Sequence, residues 1–280
     1  MGVTAKKFGE LTSGEEITLY HLENQSGAYA EVMDYGAILV KVVVPDKDGR
    51  LIDVVLGYDD VQQYEVNGCF FGAIIGRSGN RIGGAKFSLY GQEYQLGKNE
   101  NDNNLHSGPN GFEKKIWTVK NTDSDKNAIT FSRISPDGEN GFPGEFQVSV
   151  TYEFTEDNTL QIYYSGISDK ATLANMTNHS YFNLNGEGSG NVLDQEVCIH
   201  AKYFTPVKDS LTGEGSGKVL DTYLTIHARD YNPVDEFSIP TGEYAAVEGT
   251  PMDFNKAKKI GQEIEADFQQ LKYTGGYDHN

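Results

Sequence analysis

The sequence contains little cysteine and no long run of apolar residues. Only Cys69 and Cys198 occur among its 280 residues, and two cysteines form at most one bridge, which excludes a disulfide-rich scaffold. The absence of a continuous apolar stretch excludes a membrane-spanning helix, and the residues after Met1 lack the apolar region of a signal peptide. We therefore predict a cytoplasmic protein without a membrane partner.

Positive charge is also scarce. The chain has 23 Lys and Arg residues against 41 Asp and Glu residues, which gives a net charge of −18 and a pI near 4.6. Such a negative field repels phosphates, and no cluster of Lys and Arg offers a local exception. These observations exclude nucleic acid and an anionic membrane surface as partners, whereas the oligomeric state stays open.

Metal and nucleotide motifs are missing as well. None of the six histidines stands at the spacing of a metal-binding pair, so we predict no metal site. The glycine-rich segment 72–84 (GAIIGRSGNRIGG) matches neither the dinucleotide fingerprint nor the phosphate-binding loop. Two interpretations of this segment remain open: a strand bent by glycines, or a backbone that approaches a ligand closely, with Arg81 as a donor.

What the sequence does contain is a series of short strand signals. β-branched and aromatic residues alternate with polar ones, and turn residues separate the runs. Helix signals are weak, although residues 59–64 and 256–271 have some helical spacing. This pattern predicts an all-β fold, an antiparallel sandwich or barrel, and the absence of a linker predicts one domain over residues 1–280. The clearest strand runs are 31–44 with a bend at Gly36, 51–56, 85–90 and 93–96 around a Gly91-Gln92 turn, 117–121 and 128–133, and 146–154 and 160–165.

One segment occurs twice. Residues 186–207 (GEGSGNVLDQEVCIHAKYFTPV) recur as residues 213–234 (GEGSGKVLDTYLTIHARDYNPV), with 13 identical residues at 22 aligned positions and an offset of 27. Each copy contains one strand and one turn, which is too little for a repeat architecture. A fold can accommodate a tandem duplication of this size as a surface loop or as an extra strand, because the entropic cost of loop closure grows slowly with length.

Three of the six histidines lie among hydrogen-bonding residues. His106 follows a run of Asn and Asp that we expect outside the core, His179 lies in a stretch almost without charge, and His279 is near the end of the sequence. Asn, Arg, His, Tyr and Asp side chains in uncharged surroundings suit the hydroxyl groups of a sugar, and histidines transfer protons near neutral pH. These residues predict a polyol or sugar site with acid–base capacity. The other histidines, which have strand-like neighbours, are His21, His200 and His227.

An ordered set of motifs covers nearly the whole chain. They are GR at 76–77, NRI at 80–82, NLHSG at 104–108, GF at 111–112, NHSYFNL at 178–184, IPTGE at 239–243, GTPMDF at 249–254 and GYDHN at 276–280. In this order the motifs resemble those of the aldose 1-epimerase (galactose mutarotase) family. The resemblance implies a large antiparallel β-sandwich with a sugar cleft. It also implies cofactor-independent interconversion of the α and β anomers of aldohexoses such as galactose and glucose.

The resemblance further implies roles for individual residues. His179 matches the acid that protonates the ring oxygen, and His106 and Arg81 match residues that bind and polarise the oxygens around the ring. No metal ion belongs to this set. Further sugar-binding positions in the matching motifs are Asn80, Tyr181 and Asp278.

Two features depart from the family pattern. The family places its catalytic base on a glutamate in a strand beyond the GYDHN motif, in which this sequence ends, so no residue here matches the base. We therefore expect a domain without the family's C-terminal strands, and a non-catalytic sugar-binding protein is the alternative function. A relative that acts on hexose 6-phosphates is disfavoured by the shortage of clustered Arg and Lys. The family also has one copy of the duplicated segment, so we expect one copy to fill the family's strand and the other to be extruded.

Overall fold

The structure, a computed structural model, describes residues 2–193, 195–199, 223–226, 228–231, 233, 241 and 243–273. The chain divides into two compact units, Met1–Gly188 and Ser189–Asn280. The single domain over residues 1–280 that the sequence indicates stays a prediction.

The first unit consists mainly of β-strands joined by turns, which confirms the prediction of an all-β fold. Short helical segments are α1 (Val61–Val66) and the 3-10 turns Gly83–Ala85, Phe112–Lys114 and Glu139–Gly141. The strands, in chain order, are β1 (Thr4–Glu10), β2 (Glu16–Glu23), β3 (Tyr29–Met33), β4 (Leu39–Pro45), β5 (Leu51–Asp53), β6 (Ile74–Ile75), β7 (Arg81–Ile82), β8 (Lys86–Leu89), β9 (Gln92–Gln95), β10 (Asn104–Leu105), β11 (Thr118–Asp123), β12 (Ala128–Ser135), β13 (Phe146–Phe154), β14 (Leu160–Ser168) and β15 (Thr177–Asn178).

Two antiparallel sheets share the core of this unit. Strands β1 to β5 form one sheet in sequential order, and β11 to β14 form the other. Along β13 every second side chain is buried, as the period-two geometry of a strand requires. The shared core contains Leu22 and Val32 from the first sheet and Phe131 and Val150 from the second, all at 0% exposure. Each such side chain contributes roughly 1.5–3 kcal/mol relative to exposure, and the predicted β-sandwich is confirmed.

The predicted run 31–44 is interrupted at its glycine. β3 ends at Met33 and β4 begins at Leu39, and Gly36 lies between them with a φ of 65°, in the left-handed region that favours glycine. A Cβ at this position would lie 2.6 Å from the carbonyl oxygen of Glu113. The predicted bend is therefore confirmed, and it needs a residue without a side chain.

The predicted hairpin around residues 85–96 forms, but its turn lies one residue earlier. Tyr90 and Gly91 join β8 to β9, and their φ angles are 49° and 81°. Two positive φ values are typical of the type I′ turn, whose twist matches that of the flanking strands. The predicted Gly91-Gln92 turn is wrong, because Gln92 is already the first residue of β9.

Two short ladders bring distant parts of the sequence together. β7 pairs with β10, so that Arg81 is opposite Leu105, and β6 pairs with β15, so that Ile74 is opposite Asn178. Each ladder joins strands of only two residues, so hydrogen bonds from the flanking loops must support it. The first ladder joins the NRI and NLHSG motifs, and the second joins the glycine-rich segment to the NHSYFNL motif.

The second unit contains short strands and a short helix. They are β16 (Val197–Ile199), β17 (Tyr223–Ile226), β18 (Asp230–Tyr231), β19 (Ala245–Ala246), β20 (Lys258–Lys259), a 3-10 turn at Ile260–Glu263 and α2 (Gln269–Tyr273). Among its described residues, Ala228, Tyr231 and Val247 form a buried apolar cluster. Across the described ranges of both units, no helix has the length and hydropathy needed to cross a membrane.

The two copies of the duplicated segment contribute neighbouring strands to one sheet. β16 from the first copy and β17 from the second run parallel, with Val197 opposite Leu224, so that equivalent positions are paired at the offset of 27 residues. These two strands join β20 in a three-stranded sheet and belong to neither of the two main sheets. The expectation that one copy fills the family's strand and the other is extruded therefore stays a prediction. His200 and His227 lie outside the described residues.

Candidate active site

The first part of the site is a pair of reciprocal hydrogen bonds between Asn80 and His106. The His106 N–H donates to the Asn80 carbonyl oxygen at 3.0 Å, and the Asn80 N–H donates to Nδ1 of the His106 ring at 3.0 Å. Because Nδ1 is the acceptor, the neutral ring carries its proton on Nε2. The backbone before β7 thus selects the tautomer of His106 and leaves Nε2–H as a donor.

The residues around this pair hold unusual backbone angles. φ is 57° at Asn80, 52° at His106 and 71° at Ser107, in a region that is unfavourable for residues with a Cβ. The Ser107 hydroxyl stabilises this conformation, since it accepts from the Ser78 N–H at 2.7 Å and donates to the Ser78 carbonyl at 2.9 Å. Local strain of this kind clusters at functional sites, where the surrounding structure enforces it.

Backbone hydrogen bonds next to β6 hold His179. Its N–H donates to the Ala73 carbonyl at 2.8 Å, and its carbonyl accepts from the Gly72 N–H at 3.1 Å. The preceding side chain, Asn178, donates to the Gly72 carbonyl at 2.9 Å and accepts from the N–H and hydroxyl of Ser180 at 3.1 Å and 2.6 Å. Asn178 and Ser180 therefore support the turn, and the His179 ring is left to act on a ligand.

An aromatic cluster surrounds the two imidazoles. The ring centroids of His106 and His179 are 5.0 Å apart, with an interplanar angle of 86°. The ring of Phe70 contacts both, at centroid distances of 4.8 Å and 5.6 Å, and Tyr181 lies 5.3 Å from His179. Convergent polar groups beside aromatic walls are typical of small-molecule sites.

Phe70 is a site residue that the sequence does not single out. Its signal is weak: two consecutive aromatic residues, Phe70 and Phe71, interrupt strand alternation just before the glycine-rich segment. φ at Phe70 is 57°, which is costly for a bulky side chain. Asn67 supports this segment, since its Oδ1 accepts from the Phe71 N–H at 2.8 Å and its Nδ2 donates to the Phe71 carbonyl at 3.3 Å.

Arg81 joins the site through an ion pair. Its Nε donates to Glu100 Oε2 at 2.6 Å and its Nη2 to Oε1 at 2.8 Å, while Nη1 donates to Asn80 Oδ1 at 3.3 Å. Both side chains of the pair are largely but not completely buried, with 9% and 11% exposure. Sequence reasoning missed Glu100, because the chain has 41 Asp and Glu residues and nothing in the Asn-rich run marks this one.

Burial controls the protonation of both histidines. Loss of solvent lowers the pKa of His106 to about 3, and the nearby charges of His179 and Arg81 add to the shift. Burial also lowers the pKa of His179, while a hydrogen bond with its own backbone opposes this shift. Both rings are therefore mainly neutral near neutral pH, so they share a small space without mutual repulsion.

The structure brings most of the predicted site residues into one region. Asp278 lies outside the described residues, as does His279. Among the residues that the structure describes, no group of three or more His, Cys, Asp or Glu side chains could hold a metal ion. The predicted residues that lie together are Asn80, Arg81, His106, His179 and Tyr181.

Asn104 lies at the buried end of an Asn-rich segment. The preceding residues 99–102 are exposed or half-buried, as expected of a run outside the core, whereas Asn104 is completely buried. Its Nδ2 donates to the Gly97 carbonyl at 2.7 Å, while its Oδ1 has no hydrogen-bond partner among the described residues. The pairing of β10 with β7 draws Asn104 inward, where its amide donates to the backbone carbonyl of Gly97.

The glycines of segment 72–84 mainly serve packing within the protein. A Cβ at Gly76 would lie 2.4 Å from the ring of Phe112, and one at Gly72 would lie 1.9 Å from the Leu39 carbonyl oxygen. These contacts favour the bent-strand interpretation for the first half of the segment. Arg81, near its end, lies in the site, as the other interpretation requires.

The fold and the site together define a class of protein, an antiparallel β-sandwich in which two neutral imidazoles, an arginine and a tyrosine lie together. A family model described as aldose 1-epimerase matches residues 18–216. The chain is 38% identical to galactose mutarotase from Sus scrofa, covering 100% of this chain and 71% of that protein. It is 40% identical to galactose mutarotase from Homo sapiens, covering 99% and 71%, and 35% identical to aldose 1-epimerase from Escherichia coli (strain K12), covering 95% and 68%.

Solved structures agree with these similarities. The crystal structure of galactose 1-epimerase from Lactobacillus acidophilus NCFM matches with a TM-score of 0.70 at 26% identity, over 97% of this chain and 70% of that chain. The GalM/aldose epimerase homologue from C. elegans matches with a TM-score of 0.68 at 27% identity, over 89% and 67%. The chain therefore belongs to the aldose 1-epimerase family, and it is an isomerase built on the family's β-sandwich.

Proposed function

We propose that this protein interconverts the α and β anomers of an aldohexose, with galactose and glucose as candidate substrates. The names of the relatives support this reaction, since the pig and human proteins are galactose mutarotases. The observation that carries the proposal is the pair of imidazoles with ring centroids 5.0 Å apart, beside a guanidinium and a tyrosine. Proton transfer within one small ring needs acid–base groups that converge on one small region.

The proposed reaction opens and closes the sugar ring. A base removes the proton of the C1 hydroxyl, the bond between C1 and the ring oxygen breaks, C1 becomes an aldehyde carbon, and an acid protonates the departing ring oxygen. Rotation about the C1–C2 bond and the reverse proton transfers then close the ring on either face. Atoms and charges balance within the sugar and the acid–base groups, so these reaction steps need no oxidant, reductant or cofactor.

His179 is the acid in this proposal. Its ring contacts those of Tyr181 and Phe70, and burial lowers its pKa, so its protonated form is a stronger acid than a histidine in water. Protonated His179 gives its proton to the ring oxygen as the ring opens. Neutral His179 takes that proton back when the ring closes.

His106 and Arg81 bind and polarise the oxygens around the sugar ring. The backbone bond to Nδ1 directs the proton of neutral His106 to Nε2, where it serves as a donor. Asn80 and Tyr181 lie beside these groups and bind further hydroxyls. Asp278 binds a pair of sugar hydroxyls. This role rests on the resemblance of the GYDHN motif to that of the aldose 1-epimerase family.

The proposed partner is thus a small-molecule hexose, and the proposed location is the cytoplasm. The net charge of −18 supports the expectation that neither nucleic acid nor an anionic membrane is a partner. The alternative function is that of a non-catalytic sugar-binding protein, which would use the same donors without the proton transfers.

Polarimetry on fresh α-D-galactose or α-D-glucose tests the proposal. We expect the protein to accelerate mutarotation and His179→Asn to lose roughly 10²–10⁴-fold in rate, the usual worth of general acid–base catalysis. His21→Gln is the matched control, because the ring of His21 lies on β2 and contacts Tyr29 and Glu31. We expect this control to keep the wild-type rate.

Each other outcome has a definite meaning. Sugar binding without acceleration, measured by calorimetry, would support the non-catalytic alternative. Acceleration that survives His179→Asn would contradict the role of His179, and an equal loss in His21→Gln would show that the loss is not specific to the site.

A further inference from the structure

The ion pair between Arg81 and Glu100 decides which donors of the arginine remain for a ligand. A guanidinium has five N–H groups in a rigid plane. Glu100 accepts from Nε and Nη2, and Asn80 Oδ1 accepts from Nη1. One N–H on each terminal nitrogen is therefore without a hydrogen-bond partner in the part of the chain that the structure describes.

Glu100 is itself held rigidly. Its N–H donates to the Asn103 carbonyl at 3.3 Å, and its carbonyl accepts from the Asn103 N–H at 2.9 Å. The neighbouring Asn99 binds Leu105 on both sides, donating to its carbonyl at 2.9 Å and accepting from its N–H at 2.7 Å. Because Leu105 is opposite Arg81 in the β7–β10 ladder, one hydrogen-bonded unit carries both the carboxylate and the guanidinium.

We infer that Glu100 is a positioning residue for the ring-opening reaction: its carboxylate holds the Arg81 guanidinium in one orientation beside His106, with the remaining N–H groups presented to a sugar oxygen. The inference rests on the proposed function, which assigns Arg81 to the sugar. An arginine side chain has a large rotamer entropy, so an unpaired Arg81 would present its donors for only part of the time. Donors that are already oriented stabilise the charge that develops as the ring bond breaks.

A second ion pair of similar geometry provides a control. Arg133 donates from Nη1 and Nη2 to the two carboxylate oxygens of Glu139 at 2.9 Å and 2.8 Å, and the side chains are 9% and 15% exposed. Arg133 packs over the ring of Phe112, 4.5 Å from its centroid. The two pairs thus share burial and bidentate geometry, but Arg81 is the one hydrogen-bonded to Asn80 of the site.

The test compares Glu100→Gln with Glu139→Gln in kcat and KM for α-D-galactose mutarotation. Glutamine keeps the shape of the side chain, but its NH2 group cannot accept a hydrogen bond from arginine. We expect Glu100→Gln to lower kcat by roughly 10–10²-fold with a smaller change in KM, because the held donors act mainly in the transition state. We expect Glu139→Gln to change kcat by less than about twofold, whatever it does to stability.

A double-mutant cycle shows whether Glu100 acts through Arg81. The planar fork is absent in the Arg81→Lys background, so adding Glu100→Gln there should cost little more in kcat. Glu100→Asp keeps the charge and should restore part of the loss. The inference would be overturned by an equal loss in both backgrounds, or by the absence of a loss in the otherwise wild-type chain.

The experiments also separate this inference from the proposed function. Suppose that the wild-type chain accelerates mutarotation and His179→Asn does not. Equal rates in Glu100→Gln and Glu139→Gln would then contradict the positioning role of Glu100 but not the proposed function. NMR of the Arg81 guanidinium gives a readout that needs no turnover. We expect slow rotation about the Nε–Cζ bond in the wild type and in Glu139→Gln, and fast rotation in Glu100→Gln. Unchanged rotation in Glu100→Gln would overturn the positioning role even in a chain that binds sugar without catalysis.

Discussion

Arg77 and Arg81, four residues apart in one segment, use the same functional group in opposite ways. Arg77 is 1% exposed, and all three of its guanidinium nitrogens donate to neutral oxygens. Arg81 is partly buried, and its main partner is the carboxylate of Glu100. The acceptors of Arg77 are the carbonyls of Ser135, Pro136, Pro143 and Gly144 and the hydroxyls of Ser135 and Thr172.

This contrast shows that burial of an arginine does not by itself indicate a binding function. Arg77 donates to backbone carbonyls at the end of β12 and in its connection to β13, among them those of Pro143 and Gly144, so its role is structural. Arg81 has its charge balanced by Glu100 and keeps donors without a partner among the described residues. A balanced charge with donors left over is what a binding arginine needs.

The largest expected effect is the loss of protein stability when Arg77 is replaced. Arg77→Met leaves several buried carbonyl oxygens unpaired at about 1–3 kcal/mol each, so we expect urea titration to show a loss of about 3 kcal/mol or more in the free energy of unfolding. Arg50→Met is the control, because Arg50 is 75% exposed and such surface pairs contribute at most about 1 kcal/mol. A similar small loss in both variants would contradict the structural role of Arg77.

Arg81→Lys should have the opposite profile, with a large effect on rate and a small one on stability. Lysine keeps a positive charge near Glu100 but loses the planar fork, so we expect mutarotation to slow by roughly 10–10²-fold. The free energy of unfolding should change less than in Arg77→Met, because lysine keeps a charge that compensates the partly buried carboxylate of Glu100. Polarimetry and urea titration on the same preparation measure both quantities. A stability loss as large as that of Arg77→Met would remove the distinction between the two arginines.

The smallest of the three expected effects is on the pH dependence of stability, through the electrostatic influence of Arg81 on His106. Burial lowers the pKa of His106 from 6.5 to about 3, and the charge of Arg81 contributes to that shift. Below pH 6.5 the unfolded chain takes up a proton on this histidine while the folded chain does not, so stability falls as the pH drops toward 3. We expect Arg81→Gln to raise the pKa of His106 and to reduce this acid loss, whereas Arg77→Met leaves it unchanged.

Urea unfolding at several pH values, together with NMR titration of His106, measures this difference. Burial raises the pKa of Glu113 to about 7, so that group lowers stability as the pH rises from 4.5 toward 7. This opposite trend is common to the wild type and both variants and cancels in the comparison. Equal shifts of the His106 titration in the two variants would show that Arg81 has no special electrostatic role.

Most of the strands could be predicted because their signals are local. β13 has the predicted bounds, and β14 extends to Ser168, beyond the predicted end at 165. The hairpin turn was misplaced because Tyr90-Gly91 and Gly91-Gln92 both contain glycine, and the pairing register chooses between them. The pairing of β16 with β17 was missed for a similar reason, since a repeated strand pattern does not state its partner.

The candidate site could be predicted only in part. Motif order pointed to His106, His179 and Arg81, and the described residues place these side chains together. Glu100 and Phe70 were missed, because a carboxylate in an acidic chain and one aromatic among 31 Phe and Tyr residues gain meaning only from what they contact. The same reason explains why Arg77 and Arg81 look alike in the sequence.

The amino-acid sequence alone was sufficient for the all-β class, the family resemblance and the set of polar residues, because alternation and motif order are properties of neighbouring positions. The three-dimensional arrangement was needed to show that Nδ1 of His106 is an acceptor, that all guanidinium nitrogens of Arg77 have acceptors within the protein and that Glu100 pairs with Arg81. These facts depend on burial and on distances between residues far apart in the chain, and the β7–β10 and β6–β15 ladders are what bring those residues together.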